Sequence, residues 1–431
     1  MTIAADPPAP SLGELTAASW KVGVLGFGGP AGQIALMHKV FVDEKRWLDE
    51  PRYLHALSYC TLLPGPEAQQ LATYVGWLLQ GVRGGIVAGG LFVLPGVGVM
   101  LGLSWLYAAH GANPLVAAAF FGIKAAVVAL VVEAMIRIGR RALKGGADLA
   151  FAVAAFLALS LFGAPFPLVI LGAGLLGLVR GGTAQAADPQ PAAAISGRGA
   201  LASAVIWAGL WLAPLAMSWS ILGPKHLLTQ VGVLFSTLSV VTFGGAYAAL
   251  AYLQQQAVAV QGWLTPSQMI DGLGLAETTP GPLVLVNQHV AFMAGWQAQG
   301  GGLGLAVAAG LMASWSTFAP SFLWIFAGAP YAEALRRSER ARRALQAVTA
   351  AVLGVVANLA LWFGVHALFA RSTAWRTPWG HSLDLPAAGS LDLPAALIAT
   401  AAGVALIRLK INVIAVVLGC AAIGVLVRGL G

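Results

Sequence analysis

The chain has 431 residues, of which 58% are apolar and only 9% charged, whereas an average soluble protein carries about 25% charged residues. A soluble fold could not bury so much apolar surface, and at roughly 20 residues per crossing the chain could supply about ten membrane segments. The net charge of +8 lies mostly in short loops, which is the usual topology signal of membrane proteins and does not indicate a nucleic-acid partner.

Apolar segments follow one another along the whole chain. In order they are 15–38, 85–108, 115–136, 148–163, 165–181, 199–222, 228–250, 302–328, 346–370, 393–408 and 409–428. Between two of them, residues 182–198 are rich in Ala, Pro, Gln and Gly, a composition typical of flexible linkers. We therefore expect an all-α polytopic membrane protein with a first repeat at 1–181, a linker at 182–198, a connecting helix at 199–227 and a second repeat at 228–431.

Three short motifs occur twice with one constant separation. Phe27-Gly28-Gly29 recurs as Phe243-Gly244-Gly245, Trp47-Leu48 as Trp263-Leu264, and Pro64-Gly65-Pro66 as Pro280-Gly281-Pro282, so that 243 − 27 = 263 − 47 = 280 − 64 = 216. Later matches, from Pro95 to Pro320 and from 125–127 to 350–352, are 225 residues apart, which indicates a nine-residue insertion. The constant spacing indicates a duplicated fold.

Basic residues occur in different loops of the two halves. In the first half they follow the first and third segments, at Lys39, Lys45, Arg46, Arg52, Arg137, Arg140, Arg141 and Lys144, while the loop 106–116 has no Lys or Arg. In the second half the loop 251–266 is uncharged, and the equivalent of the neutral loop carries Arg336, Arg337, Arg340, Arg342 and Arg343. Basic loops face the cytoplasm, so the pattern predicts two inverted-topology repeats. The count of segments conflicts with this prediction, because six crossings between equivalent points would make the halves parallel.

The Pro-Gly-Pro motifs interrupt apolar stretches that are each about half a membrane span long. Proline removes a backbone donor and breaks a helix, so both motifs predict broken or re-entrant half-helices near mid-membrane. The helix that follows Gly65-Pro66 or Gly281-Pro282 points its free N–H groups at the break, which favours an anion. Polar side chains follow at Gln69, Gln70, Asn287, Gln288 and His289 and could bind an oxyanion without adding charge. The alternative is a purely structural kink.

The paired glycines Gly28, Gly29, Gly244 and Gly245 either allow close helix packing or present backbone groups to a substrate. Lys124 lies near the centre of its segment, where it could face an anion or form an internal ion pair. Glu67 and Glu277 flank the breaks, and each either stabilises local structure or carries a coupling proton.

Enzymatic motifs are missing from the sequence, which has no HExxH, no paired CxxC, no GxSxG and no Walker P-loop. Cys60 and Cys420 lie in apolar surroundings typical of packing residues. We expect no catalytic site, metal or cofactor.

The motifs resemble those of the chromate transporter (CHR) superfamily, in particular its long members with two domains. The resemblance is carried by Gly26-Phe27-Gly28-Gly29-Pro30, the run from Leu63 to Ala72 (Leu-Pro-Gly-Pro-Glu-Ala-Gln-Gln-Leu-Ala), Thr242-Phe243-Gly244-Gly245-Ala246-Tyr247 and Thr278-Thr279-Pro280-Gly281-Pro282. The second half differs from the first where Leu285 and Val286 replace Gln69 and Gln70, so an asymmetric site is expected.

Such a resemblance implies a secondary transporter that exports chromate across the cytoplasmic (inner) membrane, driven by the proton motive force or by anion exchange, with sulfate as the structural analogue. The partners it implies are the oxyanion and membrane lipid, and a homodimer is left open. The alternatives are an oxyanion importer, a passive anion channel of the same architecture, and a membrane scaffold without transport.

Overall fold

The computed structural model describes residues 10–179, 197–243 and 245–429. Gly244 and most of the predicted linker, residues 182–196, lie outside the described residues. The helices are α1 (Leu12–Leu25), α2 (Gly29–His38), α3 (Glu50–Cys60), α4 (Glu67–His110), α5 (Pro114–Ala142), α6 (Gly146–Ser160), α7 (Phe166–Val179), α8 (Gly197–Leu222), α9 (Leu227–Val241), α10 (Ala246–Gln254), α11 (Pro266–Thr278), α12 (Val286–Gln297), α13 (Leu303–Arg337), α14 (Glu339–Leu368), α15 (Leu393–Gly403) and α16 (Val413–Arg428).

Five of these helices contain stretches long and apolar enough to cross a membrane, namely those in α4, α5, α8, α13 and α14. The prediction of an all-α polytopic membrane protein is therefore confirmed. One element was not predicted, an antiparallel hairpin of β1 (Ser372–Arg376) and β2 (Ser382–Pro386) between α14 and α15. At its turn, the ring of Trp379 stacks on Phe162 in the α6–α7 loop, with centroids 4.7 Å apart.

The two halves repeat the same order of elements. Helix α2 continues into a π-helical turn at Lys39–Glu44, and α10 continues into one at Gln255–Val260, so that 255 − 39 = 260 − 44 = 216. The next helix begins in both halves at a capped N-terminus, with Asp49 before α3 and Thr265 before α11, again 216 residues apart. The described structure thus carries the sequence duplication down to a rare helical distortion, while the exact domain boundaries stay a prediction.

In the first half, both breaks lie at the turn of a helical hairpin. The Lys21 ammonium on α1 lies 2.9 Å from the Glu44 carboxylate at the end of the π turn, although 23 residues of continuous helix would separate them by roughly 35 Å. Helix α4 folds back on itself at Gln80 and Gly81, whose backbone leaves the helical region, and the Gln80 amide donates to the Pro10 carbonyl at 2.5 Å. The start of α1 thus lies beside the bend between the two parts of α4.

The second half repeats these hairpins. A Cβ placed on Gly272 of α11 would lie 2.5 Å from Cδ2 of His289 on α12, so the two helices lie side by side on either side of Pro-Gly-Pro. The apolar segments 15–38 and 228–250 are each divided between two helices, α1 and α2 in the first half and α9 and α10 in the second, so neither is one continuous helix. Apolar length alone does not distinguish a continuous span from a pair of shorter helices, and the number of crossings stays a prediction.

Equivalent helices of the two halves run in opposite directions. A Cβ on Gly85, near the start of the second part of α4, would lie 2.6 Å from Phe326 late in α13, and one on Gly310, early in α13, would lie 3.3 Å from Leu101. The second part of α4 and its equivalent α13 thus pack antiparallel. This geometry supports the inverted arrangement that the loop charges predict, with hairpins of one half opening opposite to those of the other.

Candidate functional site

The two Pro-Gly-Pro turns are joined to the opposite half by a reciprocal pair of backbone hydrogen bonds. The Gly65 N–H donates to the Thr242 carbonyl at 3.0 Å, and the Gly281 N–H donates to the Gly26 carbonyl at 2.9 Å. Since 281 − 65 = 242 − 26 = 216, each bond is the image of the other. Such an exchange relates the halves by a pseudo-two-fold axis that passes between the breaks.

Glycine is required at the turns because of the backbone conformation there. Positive φ values occur at Gly28 (83°), Gly29 (69°), Gly65 (107°), Gly245 (99°) and Gly281 (93°). A side chain is strained in this region, so the paired glycines are needed to make the turns and not only for helix packing.

Four helix N-termini converge on a small cavity between the breaks, which we call the central cavity. It is lined by Pro30 and Gln33 from α2, by Pro66, Glu67 and Ala68 from α4, by Gly245 and Ala246 from α10, and by Pro282, Leu283 and Val284 from the 3₁₀ turn that leads into α12. Its volume is about 20 Å³. The sequence predicted two such helix ends, after the two Pro-Gly-Pro motifs, and the structure adds the two that follow the paired glycines.

None of these four N-termini has a side-chain cap. The N-cap residues are Gly28, Pro66, Gly245 and Pro282, none of which makes a capping hydrogen bond. Helix N-termini carry unpaired N–H groups and roughly half a positive charge each. Their convergence favours an anion in the central cavity, where Glu67 is the ionisable side chain among the lining residues.

Gln33 is a cavity residue that the sequence analysis missed. Its side chain is fully buried, and its Nε2 donates to the carbonyls of Gly26 at 3.2 Å and Gly281 at 2.5 Å, while its Oε1 has no partner. It thereby reinforces the link between one paired-glycine turn and the opposite Pro-Gly-Pro turn. A single glutamine in an apolar stretch gave no signal of this role, and the equivalent residue of the second half is Ala249.

The predicted amide residues surround the breaks without lining the central cavity. The side chain of Gln69 donates to Phe318 O at 3.2 Å, that of Gln70 to Pro64 O at 2.7 Å, that of Asn287 to Thr317 Oγ1 at 3.1 Å, and that of Gln288 to Val97 O at 3.0 Å. All four are buried. In this conformation the Gln70 bond closes its own turn, while the other three bonds hold the hairpins to α4 and α13. An anion-binding role for these residues stays a prediction.

Lys124 is held in an ion pair, which was the alternative interpretation of this residue. Its ammonium lies 3.5 Å from the Asp271 carboxylate and donates to Ser267 at 2.5 Å. It is not among the residues that line the central cavity. The sequence could not show this because Asp271 lies 147 residues further along the chain (271 − 124).

The two predicted coupling carboxylates occupy different places. Glu67 lines the central cavity and is half-buried. Glu277 is buried and accepts a hydrogen bond from the Tyr247 hydroxyl at 2.7 Å. Together with Tyr247, it lies in the wall of a second and larger cavity.

This larger cavity, the basic vestibule, has a volume of about 460 Å³ and ends on Gly28, Gly29 and Pro30. Four cations line it, Arg137, Arg140, Arg141 and Lys410, against two carboxylates, Glu133 and Glu277, which leaves an excess of two positive charges. Arg137 pairs with Glu133 at 3.2 Å. Pro30 also lines the central cavity, so the two cavities adjoin at this residue, and the vestibule lies beside the basic end of α5. A cleft lined mainly by one sign of charge raises the local concentration of the opposite ion.

The second half has no matching set of cations. At the offset of 225, the positions of Arg137, Arg140 and Arg141 hold Trp362, Val365 and His366. The rings of Trp362 and His366 lie 4.4 Å apart. The site is therefore asymmetric, as the sequence indicated, but the asymmetry lies in the vestibule as well as in the amide residues.

Comparison with known proteins agrees with this architecture. A family model described as Chromate transporter matches residues 13–178 and 229–425. A chromate transport protein of Pseudomonas aeruginosa is 34% identical over 365 residues, which cover 82% of each chain. A probable chromate transport protein of Synechococcus elongatus is 28% identical over 375 residues, covering 84% of this chain and 86% of that protein. The uncharacterized transporter YwrB of Bacillus subtilis is 34% identical over 135 residues, which are 31% of this chain but 67% of that shorter protein. No solved structure matches the chain.

Proposed function

Because this chain belongs to the chromate transporter family, we propose that it is a secondary transporter that exports chromate, or exchanges chromate for sulfate, across the cytoplasmic membrane. Membership of the family and the apolar helices support a multi-pass membrane protein that transports chromate. The direction of transport, the exchange with sulfate, the inner-membrane location and a homodimer are parts of the proposal.

The observation that carries the proposal is the convergence of four uncapped helix N-termini on the central cavity. A tetrahedral dianion has four oxygens that accept hydrogen bonds, and N-terminal N–H groups from four directions suit that shape. The protein can release such an ion again because no ionised cation holds it at the cavity. Selectivity then comes from the backbone of both halves, with Gln33 holding the turns in place.

The basic vestibule supports export as the proposed direction of transport. It opens beside the loop with Arg140, Arg141 and Lys144, which the positive-inside rule assigns to the cytoplasm. Positive potential there draws divalent anions from the cytoplasm toward Gly28, Gly29 and Pro30. Loading from the cytoplasm corresponds to export.

The small volume of the central cavity supports alternating access. About 20 Å³ is room for roughly one water molecule, less than a tetrahedral oxyanion needs. Binding therefore requires the two halves to move apart at the breaks. Because a pseudo-two-fold axis relates the two halves, the reverse movement can open the opposite side, where Trp362 and His366 lie.

Glu67 supplies a reason for proton coupling. The Glu67 carboxylate lines the cavity that would hold the proposed anion. Two negative charges in the same small, poorly hydrated cavity repel each other strongly. The dianion binds well only when Glu67 is protonated, so a proton and the anion occupy the site together. Glu277, hydrogen-bonded to Tyr247 in the vestibule wall, is placed to exchange that proton with the cytoplasmic side.

The purified protein in liposomes tests this proposal. Vesicles preloaded with unlabelled chromate should take up labelled chromate, with saturation and with competition by sulfate. A flux that rises linearly with concentration and only dissipates gradients would instead identify an anion channel. Vesicles that take up no chromate, either by exchange or by flux down a gradient, would contradict transport altogether.

A further inference from the structure

A second buried polar cluster lies apart from the central cavity and the basic vestibule. It consists of Ser104 and Tyr107 on α4, Lys124 on α5, Asp271 on α11 and His289 on α12, and we call it the α11 cluster. None of its members lines either cavity. Transport of an anion through the central cavity therefore leaves the cluster without an assigned role.

The carboxylate of Asp271 is the centre of the α11 cluster. Its Oδ2 lies 3.5 Å from the Lys124 ammonium and accepts a hydrogen bond from the Tyr107 hydroxyl at 2.8 Å. Its Oδ1 is buried and has no hydrogen-bond partner. An ionised carboxylate with one unpaired oxygen is costly in an apolar interior, so this atom marks a position that takes up a proton or a water molecule.

A second unpartnered atom lies nearby. The His289 side chain is fully buried, its Nδ1 contacts the Ser104 hydroxyl at 3.0 Å, and its Nε2 has no partner. The rings of His289 and Tyr107 meet edge to face, with centroids 5.4 Å apart. Two buried atoms that can each accept a proton therefore flank the same tyrosine.

The chemistry of the cluster favours a proton over a metal cation. Only one carboxylate is present, and the Lys124 ammonium already lies beside it, so a metal ion would meet a positive charge at close range. No group of three or more metal-ligating side chains occurs in the described part of the chain.

The cluster is mechanically connected to the central cavity. Asp271 and Glu277 lie on the same helix, six residues or roughly 9 Å apart, and the hairpin of α11 and α12 turns at Pro-Gly-Pro. The first half has His55 and Thr61 at the positions equivalent to Asp271 and Glu277, and the second half has Thr349 at the position equivalent to Lys124. Only the hairpin of the second half can respond to a proton in this way.

We propose that Asp271 binds a further proton, in addition to the one at Glu67, from the side of the membrane opposite to the basic vestibule, and that its ion pair with Lys124 switches the position of the α11–α12 hairpin. A proton from that aqueous side adds to Oδ1 and leaves the carboxyl neutral. The attraction to Lys124 is then lost, and α11 is free to move against α5. The proton leaves again when the ion pair re-forms. This inference rests on the proposed transport function and adds a proton site to it.

Few other ionisable groups face this carboxylate. The helices packed against α11 are α4, α5, α12, α14 and α16, together with the 3₁₀ turn before α12. Of these, α5 contributes Lys124, α4 contributes Tyr107 and α12 contributes His289, and no further ion pair to Asp271 occurs among the described residues. The pH dependence of the switch is therefore governed by these four side chains.

The test compares two modes of transport in liposomes containing Asp271→Asn. Exchange of labelled chromate at equal concentrations on both sides needs anion binding and movement but no net proton flux, whereas accumulation against a gradient needs proton coupling. We expect exchange within about twofold of the unmutated protein and at least about a tenfold loss of accumulation driven by a pH gradient. Thr349→Ala, at the position equivalent to Lys124, is the matched control and should change neither mode.

Equal losses of exchange and accumulation, or unchanged accumulation, would overturn the proposal. If Asp271→Asn does not fold, Tyr107→Phe serves instead, because it removes only the hydroxyl that favours the charged carboxylate. The pH at which accumulation is half-maximal should then move upward, and an unchanged pH profile would overturn the proposal. If the unmutated protein exchanges chromate but does not respond to a pH gradient, the proton site is refuted while the transport function stands. If it does neither, the transport function itself fails.

Discussion

The N–H of Gly65 donates a hydrogen bond of 3.0 Å to the carbonyl of Thr242, across the boundary between the two halves of the chain. The equivalent bond from Gly281 to Gly26 closes the exchange at 2.9 Å. Both donors have positive φ, so the contact depends on residues that lack a side chain. The two breaks are thus one structural unit, and separation of the halves at this point breaks both bonds together.

Alanine at either turn glycine should impair both stability and transport. The substitutions Gly65→Ala and Gly281→Ala force a side chain into a left-handed backbone, at a cost of about 1–2 kcal/mol each. Thermal unfolding in detergent and chromate exchange in liposomes measure the two effects. The matched control is Gly98→Ala, where the added Cβ meets no atom within 4 Å, and which should be neutral or slightly stabilising. A Gly65→Ala protein that behaves like Gly98→Ala in both assays would refute the role of the turn.

Removing the vestibule arginines should weaken capture of the anion. We expect Arg140→Ala and Arg141→Ala each to raise the KM for chromate by about three- to tenfold at low ionic strength, with a smaller effect at high salt. The lysine variants retain the charge and should recover most of the loss. Arg376→Ala, in the exposed β1 strand, is the control. Equal effects at Arg376 and Arg141, or no dependence on salt, would contradict electrostatic capture.

Glu67→Gln should make anion binding independent of pH. As pH rises, the Glu67 carboxyl loses its proton, and its charge then repels a dianion in the central cavity. Sulfate binding to the unmutated protein should therefore be weaker at the higher of two pH values between which sulfate itself does not change charge. The glutamine variant should bind sulfate equally at both values, as measured by calorimetry in detergent. A pH dependence that survives in Glu67→Gln would assign the effect to another group.

If the two repeats are inverted, equivalent residues should react with an impermeant reagent from opposite sides of the membrane. Lys45 and Gln261 are both exposed, follow the two π-helical turns and are 216 residues apart (261 − 45). With the buried Cys60 and Cys420 replaced, single cysteines at these positions should react with an impermeant maleimide from opposite faces of oriented vesicles. Labelling of both from the same face would show that the halves are parallel.

The parts of this fold that were predictable from the sequence are those that repeat at a fixed separation. The duplicated Phe-Gly-Gly and Pro-Gly-Pro motifs correctly indicated paired breaks, because glycine and proline act on the backbone wherever they occur. The hairpin at 15–38 was not predictable, since a re-entrant pair of half-helices is as apolar as a span. Neither were the partners of Gln33 and Lys124, because Gly281 and Asp271 approach them only after the two halves pack together.

The most direct test of the central claim is the position of the bound oxyanion. A crystal of the protein grown with chromate and measured at the chromium absorption edge locates the ion by its anomalous signal. We predict a peak in the central cavity between Pro30, Pro66, Gly245 and Pro282, with the cavity enlarged to admit it. A peak confined to the arginines of the basic vestibule, or one beside Lys124, with the central cavity unchanged, would contradict the account.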